Sequence, residues 1–102
     1  MRTKDERRDE RIMSVAWRLA RFGEEVDPYE FRDNLRMGES VEEGVQRAAF
    51  GAFSDIKGGN CGRYVDWLEG FDPEDLDKEQ GKERKSLLKE LRALGKEARR
   101  LR

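Results

Sequence analysis

The sequence predicts a small all-α domain: a single-domain bundle of four to five short capped helices, closed by a long, amphipathic, basic C-terminal helix. Three observations predict it. Apolar residues recur at three- and four-residue intervals. Cap-forming residues precede these stretches and glycines follow them. No strand-like alternation of useful length occurs in the 102 residues.

The first helix is expected from Lys4 to Phe22. Thr3 and Glu6 have the spacing of a capping box, and Gly23 suits a left-handed stop. Ile12, Val15, Leu19 and Phe22 form one apolar face, with Ala16 beside them. The second helix is expected from Pro28 to Met37, with Asp27 as N-cap, Pro28 at the first helical position, Glu30 completing the box, and Gly38 as the stop. Phe31 and Leu35 are its inward pair.

The third helix is expected from Val41 to Lys57, opened by Ser40 and Glu43 and stopped by Gly58 and Gly59. Val41, Val45, Ala48, Ala52 and Ile56 form its main stripe. Gly44, Ala48 and Gly51 are small enough for a neighbouring helix to approach, which makes this helix the expected centre of the core. A fourth helix, Cys61 to Glu69, would be capped by Asn60 and would bury Tyr64 and Trp67. Phe71 follows as a plug. Asp72 and Pro73 then open the last helix, with Gly81 as its weak point. The core is expected within 11–71. The charged turns 1–10 and the helix from 73 to 102 either pack on it or project.

Charge is the strongest ordering in the chain. Charged residues make up 44% of it, against about 25% in ordinary domains, yet the net charge is only −1. Residues 1–22 carry +3, residues 23–81 carry −10, and residues 82–102 carry +6. Such asymmetry is a partner signal.

On a helical wheel the C-terminal segment separates into three stripes. Leu87, Leu91, Leu94, Ala98 and Leu101 line one face. Lys82, Lys85, Lys89, Arg92, Lys96 and Arg99 line the opposite face, with Arg100 beside them. Glu83, Glu90 and Glu97 form an acidic line on the flank of the apolar face. The basic stripe is about 27 Å long at 1.5 Å per residue. Its cations repel one another at helical spacing, and it fits either an acidic protein surface or duplex phosphates. No aromatic residue interleaves with it, which disfavours single-strand stacking. The apolar stripe spans only about two heptads, and packing against the first helix is its expected fate. In a parallel pair the e positions would hold Leu88, Gly95 and Arg102. Only Arg102 could meet a facing glutamate, so charge does not specify a homodimer and that oligomeric state stays open.

Several chemistries are disfavoured. There is no histidine, the residue most used for acid–base work near neutral pH. One cysteine and no histidine leave no zinc set. The acids at 69–79 fail calcium-loop register. The Gly58–Arg63 segment does not match a phosphate loop and reads as a tight turn. Residues 28–57 fail as a helix-turn-helix, because Glu42 and Glu43 would open the reading helix against phosphate. Cys61 stands where a helix dipole would lower a thiol pKa, but without a base its default reading is a small loop residue. No catalytic residue, cofactor or metal is assigned. No apolar run is long enough for a membrane span, and the single cysteine suits the cytoplasm.

Trp17 lies off the main apolar face of the first helix, beside Arg21. Exposed, the two would form a binding anchor; covered by another helix, they are packing. The expectation is therefore a non-enzymatic interaction protein, an adaptor, inhibitor or assembly subunit. It would bind a larger acidic protein or complex through Lys82, Lys85, Lys89, Arg92, Lys96, Arg99, Arg100, Trp17 and Arg21. Its size and charge also suit a phage- or mobile-element-encoded protein. The alternative is a nucleic-acid-binding accessory protein using the same C-terminal stripe, helped by Arg7, Arg11 and Arg18.

Overall fold

The computed structural model describes residues 3–101. Five helices follow in order: α1 Lys4–Val26, α2 Pro28–Asp33, α3 Val41–Lys57, α4 Gly62–Glu69 and α5 Lys78–Arg100, with a 3₁₀ turn at Pro73–Asp75 before α5. The described residues contain no strand, and the protein is a small all-α bundle. Met1, Arg2 and Arg102, including the expected pairing role of Arg102, lie outside the described residues.

The third helix has the boundaries its caps predict. Ser40 Oγ accepts the amide of Glu43 at 3.2 Å, and Gly59 takes a positive φ of 89° just beyond the end. Thr3 Oγ1 likewise accepts the amide of Glu6 at 3.1 Å and opens α1.

Four local expectations are corrected. Gly23 does not stop α1, which runs on to Val26. The residue before a proline is disfavoured in helical conformation, so Asp27 ahead of Pro28 sets the end. A Cβ at Gly23 would sit 3.5 Å from the Trp67 ring, in ordinary contact, so the position does not demand glycine. The second helix stops at Asp33 rather than Met37. Arg47 on α3 donates to the Asn34 carbonyl at 3.0 Å and forks onto Glu39 at 3.1 Å, gathering the loop between them. Asn60 does not cap α4, whose N-cap position is Cys61 with no side-chain hydrogen bond. The last helix does not begin at Pro73. Leu76 turns extended and packs against the core, and Asp77 and Gln80 form a reciprocal capping box that starts α5.

The hub of the bundle is α1, not the third helix. Ile12, Val15, Ala16, Leu19 and Phe22 join Ala52 and Ile56 of α3, Leu68 of α4, and Leu87, Leu88, Leu91 and Leu94 of α5 in the main core. On a second side of α1, Ala20 meets Val45 and Ala49 of α3, with Trp17 packed against them. The helix is apolar over more than one face because α3 and α5 cover different sides of it. Of the expected small residues on α3, Gly44 is buried under Leu35 and Phe31, whereas Gly51 is exposed with nothing near it. Val41 is also exposed. Phe71 packs edge-on against Phe22 and Trp67, at centroid distances of 5.8 and 5.2 Å.

Candidate interaction surface

The C-terminal helix lies along the core. Leu87, Leu88, Leu91 and Leu94 are buried, each such leucine contributing about 1.5–3 kcal/mol through burial. Ala98 is half-buried and Leu101 is exposed. This fixes the rotation of α5 and turns its basic stripe outward.

The acidic line on its flank is engaged at both ends by α1. Arg18 grips Glu83, with Nε donating at 2.9 Å and Nη2 also bonded, and reaches Ser86 at 2.8 Å. Arg11 donates to both oxygens of Glu97, at 2.9 and 3.2 Å. The seven-residue spacing of the glutamates was visible in the sequence; that α1 arginines answer it was not. Those same arginines had been counted toward nucleic-acid contact, and two of them serve the seam.

The outward stripe divides into two groups. Lys82 stands 3.9 Å from Glu79, and Arg92 donates to Glu69 of α4 at 2.8 Å. Both pairs are exposed, where such contacts contribute little. Lys85, Lys89, Lys96, Arg99 and Arg100 are exposed and meet no acid among the described residues. The stripe expected from Lys82 continues toward the N-terminus of the helix. Gly81 sits inside α5, so Lys78, four residues before Lys82 and also exposed, extends the same row.

Trp17 and Arg21 are not part of that row. Trp17 is half-buried and meets Phe50 of α3 edge-on at 6.5 Å. The Arg21 guanidinium lies 5.9 Å from the Trp17 ring centre and donates to Glu42 at 2.8 Å. The pair belongs to the packing of α1 on α3, with the Phe50 ring half-exposed beside it.

A separate open cleft of about 510 Å³ lies between α1, α3 and α4, lined by Ala20, Gly51, Asp55, Arg63, Tyr64 and Trp67 among others. Tyr64 donates its hydroxyl to Asp55 at 2.6 Å. Burial, followed by that bond to a carboxylate, pushes the phenol up to about 12. Arg63 stands 3.6 Å from the same carboxylate. These groups satisfy one another, so the cleft presents no free acid, base or nucleophile. Trp67, expected in the core, is partly exposed at its edge.

Cys61 is buried against Gly95 of α5. Desolvation raises its thiol pKa, outweighing the lowering by Arg8 and Arg99. The lowering that a place ahead of a helix would give is therefore outweighed at Cys61. No cluster of three or more metal-ligating side chains occurs among the described residues, and no helix there is long and apolar enough to cross a membrane.

No family model matches this chain, and neither a curated protein nor a solved structure matches it.

Proposed function

We propose that the chain is a non-enzymatic interaction protein, an adaptor, inhibitor or assembly subunit, that docks the outward face of α5 on an acidic surface of a larger protein. One observation carries this reading. Arg11, Arg18, Arg21, Arg47 and Arg92 each hydrogen-bond a carboxylate, whereas Lys85, Lys89, Lys96, Arg99 and Arg100 line one face with no such partner among the described residues. Like charges at helical spacing oppose the helix that carries them, and an acidic partner would relieve that repulsion. The lack of histidine and the burial of Cys61 support a role without catalysis. A single, buried cysteine suits the cytoplasm.

The test substitutes Lys85, Lys89, Arg92 and Lys96 by glutamate. Partner capture should be lost while circular dichroism stays unchanged; undiminished capture would remove α5 from the proposal. A second reading, duplex binding, is favoured by the length of the same row. Anisotropy with a mixed-sequence duplex at about 50 and 200 mM salt separates the two, because phosphate contacts lose affinity by orders of magnitude across that range. Absence of binding at the lower salt eliminates the duplex.

A further inference from the structure

A second basic feature lies where the first turns of α1 meet the last turn of α5. Lys4, Arg7, Arg8, Arg11 and Arg100 line an open cleft of about 490 Å³ there, with Leu101 as an apolar wall and Glu97 as its one carboxylate among the described residues. The four α1 cations fall at positions i, i+3, i+4 and i+7, so they share one face. The acids of the same turns, Asp5, Glu6, Asp9 and Glu10, point at least about 110° away from the middle of that face.

The single carboxylate is already committed. Glu97 accepts from Arg11 at 2.9 and 3.2 Å and lies 3.8 Å from Arg8 Nε, too far for a hydrogen bond. The Nε and Nη2 atoms of Arg8 are buried and have no hydrogen-bond acceptor. Those two atoms form the side edge of the guanidinium. Arg18 uses the same edge on Glu83, and Arg47 uses it on Glu39. Arg8 lines both this cleft and a smaller one of about 190 Å³ beside Gly58, Gly59 and Ala98. A buried charged donor without an acceptor is costly.

We propose that this cleft binds a compact polyanion of the oligophosphate class. Five cations against one carboxylate call for several negative charges close together, which a phosphate chain supplies in few atoms. Guanidinium edges match phosphate oxygens in a bidentate manner. The cleft is too small for a duplex, and the site shares only Arg100 with the outward row of α5, so it stands or falls separately from the proposed function.

The experiment titrates the full chain with inorganic tripolyphosphate by calorimetry at fixed ionic strength, with sulfate as comparator. Saturable one-to-one binding is expected, at least about tenfold tighter than sulfate. The K4E/R7E variant changes two exposed side chains and should weaken binding by about tenfold or more. R8K keeps the charge and loses the fork, and should weaken it severalfold. K85E/K89E should leave it within about twofold. An oligonucleotide bearing a 5′-triphosphate, compared with its 5′-hydroxyl form, distinguishes a polynucleotide end from a free oligophosphate as the source of the phosphate chain; tripolyphosphate-like affinity assigns the free ligand, and tighter binding assigns the end. Three results would overturn the proposal: no saturable binding, an unchanged affinity in K4E/R7E, or an equal loss in K85E/K89E.

Discussion

The inner and outer faces of α5 come from the same 23 residues and are treated in opposite ways. Inside, Leu87, Leu88, Leu91 and Leu94 are buried, and Glu83 and Glu97 are held by arginines from α1. Outside, Lys85, Lys89 and Lys96 recur on one face that carries no acid, Glu90 lying on the flank. The inner charges are answered from within the molecule, so they explain how the helix docks. The outer charges are not, so the fold does not explain them. Charge density alone does not separate the cations that hold the fold together from those that do not; the presence or absence of a partner among the described residues does.

This contrast is open to measurement, and the inner face should give the larger numbers. Leu91 is fully buried, so Leu91→Ala should destabilise by about 2–5 kcal/mol in urea unfolding. A loss under about 1 kcal/mol would mean that α5 is not seated as described. A double-mutant cycle on Arg18 and Glu83 should give a smaller coupling. Their side chains are 33% and 39% exposed, and solvent screening limits such pairs to about 0.5–1 kcal/mol. Gly81→Ala probes the helix itself. A Cβ there meets nothing within 4 Å, so the exchange should stabilise by about 0.5–1 kcal/mol. The smallest effect belongs to the outer face. Lys89→Glu relieves repulsion with Lys85, Arg92 and Lys96, and should raise stability by a few tenths of a kcal/mol while weakening partner capture. A destabilised Lys89→Glu variant would place that lysine among the structural charges and erase the contrast.

Much of this arrangement was legible in the sequence wherever the signal was local. Ser40 and the Gly58–Gly59 pair bracket α3 at its observed ends, and the leucine spacing of α5 identified its buried face. Gly23 does not end α1 because glycine tolerates helical conformation as well as the left-handed stop, and the Asp27–Pro28 step decides where the helix ends. Trp17 is ambiguous for another reason: a helix covered on two sides has no polar back, and the sequence does not say how many neighbours a helix has. The stripe on α5 was found, but its division into paired and unpaired cations depended on Glu69, a residue of a different helix. The cleft at Arg8 was missed because it is assembled from both ends of the chain, and no window of contiguous residues contains it.

The seam between α1 and α5 has a consequence in time. Arg18 waits for Glu83, and Arg11 waits for Glu97, so α1 is synthesised well before the helix that completes its seam. Until α5 emerges from the ribosome, one flank of the hub helix has no cover, although α3 can already pack on the other. A chain halted before Glu83 would lack Leu87, Leu88, Leu91 and Leu94 of the main core, and would present the apolar surface they cover to whatever is nearby, including a second halted chain.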